Sequence, residues 1–332
     1  MYNNEAKFSL WCDFIERDFI DGELLNLLNH GVINGATSNP AIFKIAFSSG
    51  KSYANSVQSA TRRHPKEIYE LLATQDIKMA ASKMLKNFAS DDDGFVSIEV
   101  DPHLANDAMH TIQEGVRLYN LIKMPNVMIK IPATKAGFEA MKELMAQGIS
   151  VNATLIFSPD QAQGCLDAFK TASEIYTKRF PNTPLPKGVI SVFVSRFDRL
   201  LNEGLAMAGL PKNQVGIMNA TKIYHIINDT GLPNVRTLFA STGVKGDDIA
   251  ADYYVRELMF ANSINTAPVE TIEAFIKSPA QPKTPISKES IDVFFSALKS
   301  KNIDINLAYR KLLDDGLKAF VTAFDEIMAS LQ

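Results

Sequence analysis

The sequence predicts an α/β fold in which eight parallel strands close into one barrel with helices outside. Short apolar runs recur along the chain, near residues 8–13, 35–39, 95–101, 127–132, 150–157, 189–194, 237–241 and 263–266. Helix-like segments lie between most of them, and no low-complexity stretch or long linker divides the 332 residues. An eightfold strand–helix alternation suits a closed barrel, and an open doubly wound sheet is the structural alternative. One domain over residues 1–332 is expected, since barrels of this size commonly run as one.

The helical segments fit this frame. Residues 67–88, 159–179 and 305–331 carry apolar residues at three- and four-residue spacing. Ser158 followed by Pro159 marks a capped helix start. The long interval between the second and third strands leaves room for two or more helices. No strand follows the final helix, which is expected to pack across the barrel. The stretch SPAQPKTPIS at 278–287 reads as a stiff surface connection.

Composition narrows the function classes. Hydrophobic residues make up 46 %, enough for a large core without metals or disulfides. A net charge of −3, with basic residues spread along the chain, argues against nucleic-acid or membrane-surface partners. Cys12 and Cys165 have no metal-ligand spacing, and a reducing cytoplasm suits two isolated thiols. The N-terminus lacks the pattern of a signal peptide, and no apolar run reaches membrane-span length. A cytoplasmic globular protein is expected.

Alternate strand residues share a face, so parity separates groups pointing into a barrel from those under its helices. In VMIKIP, Val127, Ile129 and Ile131 form the apolar face, and Lys130 stands on the other with Met128 and Pro132. A charged amine is costly to bury, so Lys130 is either a strand-end lysine reaching water, half of a structural ion pair, or a functional group. Its neighbours favour function. Strand three sets Ser97 and Glu99 on the polar face, and strand five sets Asn152 and Thr154 there, opposed to Val151, Ala153 and Leu155. The same argument adds Asp13 from strand one and Thr37 and Asn39 from strand two. Polar groups converging from neighbouring strands read as a site. Single members keep plainer roles: Asn39 or Asp13 as helix caps, Glu99 as a counter-charge to Lys130. Asp91–Asp93 reads as a solvated turn. His103 and His110 have no ligand spacing, so no metal is expected.

GATSNPAIF, VSIEVDPHLA, MIKIPAT, GISVNATLIFS, ISVFVSR and ASTGVK together resemble the transaldolases of the pentose phosphate pathway, in family order from about Asp13 to about Pro268. The longer bacterial and plant-type members are the nearest in length. The resemblance implies a (β/α)8 barrel that moves a dihydroxyacetone unit from a ketose phosphate to an aldose phosphate. It implies that Lys130 forms the Schiff base and that Asp13 takes and returns the proton of the hydroxyl at the cleaved bond. By the same resemblance Glu99 and Thr154 hold a catalytic water, Asn39 and Asn152 bind the dihydroxyacetone hydroxyls, and Ser191 and Arg196 bind phosphate. Lys245 joins them where short-form members carry arginine, a point charge in place of a planar fork. An iminium is itself the electron sink for carbon–carbon cleavage, so no cofactor is expected. Sugar phosphates are the expected partners, with a monomer or homodimer as the assembly.

Three rivals remain at this point. An aldolase that releases free dihydroxyacetone would share the fold and the lysine. Relatives of that kind carry a tyrosine near the catalytic water, whereas Phe193 lies two residues after Ser191 on the same parity and has no proton to give. A sugar-phosphate-binding barrel without catalysis would not need a buried amine. A metal-dependent aldolase would want clustered histidines, and the five present are scattered.

Overall fold

The computed structural model describes residues 2–49, 51–59, 63–278 and 280–332. Eight parallel strands follow one another around a closed barrel: β1 (Ser9–Cys12), β2 (Ala36–Thr37), β3 (Val96–Glu99), β4 (Val127–Pro132), β5 (Val151–Ile156), β6 (Gly188–Phe193), β7 (Val235–Ala240) and β8 (Ser263–Ala267). β1 pairs with β8 from Ser9 opposite Ile264 to Cys12 opposite Ala267. That pairing closes the sheet, removes its edges and rules out the doubly wound alternative.

Strand parity explains how the barrel fills. Val127, Ile129 and Ile131 of β4 and Val96 and Ile98 of β3 join the core beneath the helices. The inward residues Trp11, Met128, Val189, Leu238 and Ile264 pack together at the N-terminal end of the barrel. Gly35 makes room there, because a Cβ on it would stand 2.5 Å from the Trp11 ring. The Trp11 indole N–H donates to Asp93 at 3.0 Å, and Arg236 pairs with the same carboxylate at 2.6 Å. The expected solvated turn is therefore solvated only at Asp91. Asp93 is a half-buried anchor and Asp92 accepts from Asn34 and Asn87. With apolar residues plugging one end, the open end is the C-terminal one.

The helix starts follow their caps. Ser158 accepts from the Gln161 N–H at 3.1 Å and Gln161 reaches back to the Ser158 N–H at 3.1 Å, opening Pro159–Arg179 with a reciprocal cap. The segment expected as one helix over 67–88 is two, Pro65–Lys83 and Leu85–Ala89, separated at Met84 (φ −94°, ψ 0°). The proline-rich connection is irregular and mostly exposed over 280–287, and Pro279 lies outside the described residues. Among the described residues no helix is long and apolar enough to cross a membrane.

β5 departs from simple parity. Its register with β6 shifts between Ala153 and Ile156, and Leu155 has φ +57°. This irregularity turns Leu155 away from the outer face on which alternation places it. It packs instead with Phe157 and Phe193 on the inner side. Gly316 of the C-terminal helix, Ile305–Ser330, lies against it: a Cβ there would come within 2.9 Å of Leu155 Cδ2 and 3.3 Å of Arg196 Nη1. The helix crosses the open mouth of the barrel as expected. It is pinned by Lys44–Glu326 at 2.6 Å, by His103 Nε2–Asp325 at 3.1 Å and by the Phe324 ring edge-on to Tyr69.

Gly316→Val should lower stability by about 1–3 kcal/mol in urea unfolding, because the branched side chain overfills a contact built for none. An unchanged midpoint and slope would mean that this helix docks loosely.

Candidate active site

Lys130 stands on the inner face of β4, between Met128 and Pro132, and is 5 % exposed. Parallel pairing places Glu99 of β3 on one side of it and Asn152 of β5 on the other. The Lys130 ammonium donates to the Ser38 carbonyl at 3.1 Å, and its Nζ lies 3.7 Å from Glu99 Oε2. That separation is an ion pair without a hydrogen bond. Both Glu99 oxygens and the Thr154 hydroxyl are buried with no hydrogen-bond partner among the described residues. Buried polar atoms are normally satisfied, and these three leave two acceptors and a hydroxyl for a small polar guest. Burial pushes the Glu99 carboxyl up to about 7, Lys130 pulls it down, and the charge of Asp13 adds to the rise.

Asp13 directly follows β1, and its N–H donates to the Ala267 carbonyl at 2.8 Å. Thr37 donates from Oγ1 to Asp13 Oδ1 at 2.6 Å, and Thr266 Oγ1 lies 2.7 Å from Thr37 Oγ1. Burial raises the Asp13 carboxyl above its ordinary range, against the pull of Lys130 and Thr37. Asp13 therefore does not cap the segment after it; Glu16 does, accepting from Phe19 N–H.

A cavity of about 110 Å³ opens beside these groups. Of the residues singled out from sequence, Asp13, Thr37, Asn39, Lys130, Ser191 and Arg196 line it, together with Phe193. Asn39 does both things the sequence allowed, since its Oδ1 also accepts from Ile42 N–H at 3.1 Å at the head of Pro40–Ser49. Asn152, Glu99 and Thr154 sit behind the lining. Asn152 is held rigidly, donating to Ser97 Oγ at 3.0 Å and accepting from Ser191 Oγ at 2.6 Å. Arg196 lies in the first turn of the helix Ser195–Met207, its guanidinium 5.0 Å over the Phe193 ring. Burial and the nearby Arg199 both disfavour its charge, so an incoming anion there gains a partly desolvated cation. Lys245 is exposed on the loop after β7 and lines a separate small pocket with Ser195 and Arg199, outside this cavity.

Four lining residues were not singled out from the sequence: Thr266, Ala240, Ser241 and Phe320. Thr266 had a usable signal, since it shares parity with the inward Ile264. Phe320 had none, because a helix beyond the last strand carries no register with the barrel; its ring centroid lies 5.9 Å from Lys130 Nζ. His103 bonds Asp101 and Asp325, and His110 bonds Asp107. Among the described residues no cluster of three or more His, Cys, Asp or Glu side chains could hold a metal ion.

This arrangement defines a (β/α)8-barrel enzyme whose polar face is organised around one buried lysine. The Transaldolase/Fructose-6-phosphate aldolase family profile matches residues 10–331. A protein of Campylobacter jejuni subsp. jejuni named Transaldolase is 48 % identical over 329 residues, covering 98 % of this chain and 99 % of that one. One of Helicobacter pylori with the same name is 42 % identical over 326 residues, covering 98 % and 99 %. The chain belongs to the transaldolase/fructose-6-phosphate aldolase family.

The raised Glu99 carboxyl makes a signed prediction about stability. A carboxyl whose folded pKa lies above its unfolded value contributes stability that is full below the unfolded value, ~4.3. That contribution is lost as pH rises through about 7. Glu99→Gln should therefore lose less thermal stability between pH 5 and pH 8 than the parent does. Equal losses, measured by scanning fluorimetry at both pH values, would place the Glu99 carboxyl in the ordinary range.

Proposed function

We infer that this enzyme catalyses the transaldolase reaction, taking a dihydroxyacetone unit from a ketose phosphate such as sedoheptulose 7-phosphate or fructose 6-phosphate. It passes the unit to glyceraldehyde 3-phosphate or erythrose 4-phosphate. The observation that carries this reading is the buried Lys130 amine beside the orphaned Glu99 carboxyl, with Asp13 on the same cavity. The full-length similarity to proteins named Transaldolase supports it.

The chemistry follows from these positions. Neutral Lys130 attacks the donor ketone, and the resulting carbinolamine loses water to become an iminium. A water held by Glu99 and Thr154 shuttles protons in that step and in the final hydrolysis. Glu99 suits it, because a carboxyl near 7 exchanges protons readily in both directions near neutral pH. Asp13 takes the proton from the hydroxyl at the bond to be broken. The carbon–carbon bond cleaves, its electron pair flows into the iminium to form an enamine, and an aldose phosphate leaves. The acceptor aldehyde then adds to the enamine carbon, Asp13 returns its proton to the new alkoxide, and water hydrolyses the iminium to free Lys130.

Asn39 and Asn152 hold the dihydroxyacetone hydroxyls, with Asn152 preset by Ser97 and Ser191. Arg196 anchors the phosphate, a charge-assisted contact of about 1.5–3 kcal/mol that orients the reacting end. Lys245, exposed and outside the cavity, supplies longer-range attraction to the phosphate. Transfer rather than release is favoured by Phe193, whose buried ring lines the cavity without a hydroxyl that could protonate the enamine.

Borohydride added with fructose 6-phosphate should leave a reduced three-carbon adduct on the peptide containing Lys130, while erythrose 4-phosphate in place of borohydride should yield transfer product in excess of free dihydroxyacetone. An adduct on another lysine, or none in active enzyme, contradicts the Schiff-base role; free dihydroxyacetone as the main product would make the enzyme an aldolase.

A further inference from the structure

We propose that Thr266 of β8 is a positioning residue for Asp13, acting through the Thr37 hydroxyl to hold one carboxylate oxygen and leave the other for the substrate proton. The proposal rests on the reading of Asp13 as the proton-transferring carboxylate and adds to it the device that aims that group.

The hydrogen-bond inventory fixes the direction of the chain. Ionised Asp13 can only accept, so the single Thr37 hydroxyl hydrogen points to Asp13 Oδ1, 2.6 Å away. Thr37 then has no hydrogen left for Thr266, whose Oγ1 lies 2.7 Å from it. The hydrogen between the two threonines must therefore come from Thr266. The order is Thr266 to Thr37 to Asp13, and each bond polarises the next. Asp13 Oδ2 makes no hydrogen bond to the described residues, and Asp13 lines the cavity, so Oδ2 is the atom left to work.

β8 sets both ends of this arrangement. Trp11 pairs with Thr266 and Cys12 with Ala267, and the Asp13 N–H donates to the Ala267 carbonyl at 2.8 Å. The main chain of Asp13 and, through Thr37, its side chain are thus held by consecutive residues of one strand. Thr266 is fixed in turn, because its carbonyl accepts from the Thr242 hydroxyl at 2.9 Å. A β-branched threonine has few χ1 choices, so both links of the chain are stiff. An oxygen held at this distance confines Asp13 rotation, which matters for a group that must take and return a proton along one line.

The charged and titratable groups that bear on Asp13 are Lys130 from β4, Glu99 from β3 and the buried Cys12 thiol beside it, with Arg196 lining the same cavity. None of them bonds Oδ1, so Thr37 with Thr266 behind it is the neutral contribution that favours the carboxylate form.

The test is Thr266→Val, which keeps shape and removes the hydroxyl, with Thr266→Ser as rescue and Asp13→Asn in parallel. Cleavage of fructose 6-phosphate by Thr266→Val should show kcat down by about 5- to 30-fold with little change in KM, as expected for losing one linked hydrogen bond at a reacting group. The acid limb of its kcat/KM profile should move to higher pH, because the carboxylate loses support. Borohydride trapping of free dihydroxyacetone on Lys130, which needs no cleavage, should proceed as in the parent, and Thr266→Ser should restore kcat and the acid limb. Parent-like kcat and an unmoved acid limb in Thr266→Val overturn the inference. So does an equal loss of trapping and cleavage that serine does not rescue, which marks Thr266 as packing only. If Asp13→Asn itself cleaves like the parent, the role of Asp13 fails; if Asp13→Asn is inactive while Thr266→Val is normal, the positioning role alone fails.

Discussion

Everything at the open end of this barrel depends on one unfavourable act, the burial of the Lys130 amine beside the Glu99 carboxyl. The two groups are 3.7 Å apart and almost wholly removed from solvent. A pair optimised for stability would close to hydrogen-bond distance and satisfy the remaining carboxylate oxygens, because desolvation must be offset by good geometry. Here the pair stays open and both Glu99 oxygens lack partners among the described residues. Lys130 spends a hydrogen bond on the Ser38 carbonyl instead. The surroundings hold this costly arrangement in place. Apolar residues plug the barrel below, and hydrogen bonds from Asn152 to Ser97 and from Ser191 to Asn152 hold the polar wall beside the amine. The C-terminal helix supplies Phe320 at the cavity wall.

The two carboxyls differ through their neighbours. Glu99 is raised by burial and by the charge of Asp13, and the Lys130 ammonium 3.7 Å away opposes the rise without closing to a hydrogen bond. Asp13 is raised by burial too, but Thr37 holds one of its oxygens while Lys130 favours its charge. Two residues of the same chemistry thereby stand in different surroundings.

Most of this was legible because strand chemistry has a period of two. Alternation placed Lys130, Glu99, Asn152 and Asp13 on one face, and register then set Glu99, Lys130 and Asn152 side by side. It was legible at Asn39 as well, where one residue serves both as cap and as wall. The period misled at Leu155, because a positive φ and a shifted register turn a side chain in a way that alternation does not encode. It was silent at Phe320, whose place is decided by how Gly316 lets a helix settle on Leu155 and Arg196. Asp93 failed for a related reason: an acidic run looks solvated until a partner such as Arg236, distant in sequence, is brought beneath it. Lys245 shows the limit of a motif, which names a residue but not whether its loop turns toward the cavity.

We propose that the open Lys130–Glu99 pair and the orphaned Thr154 hydroxyl hold the water used to make and break the imine. Exchange of the dihydroxyacetone carbonyl oxygen with ¹⁸O-labelled water reads that step alone, since it needs imine formation and hydrolysis but no carbon–carbon cleavage. The account predicts that the parent accelerates exchange and that Thr154→Val, nearly isosteric, slows it by roughly tenfold or more through loss of water positioning. Exchange in Thr154→Val as fast as in the parent would contradict it.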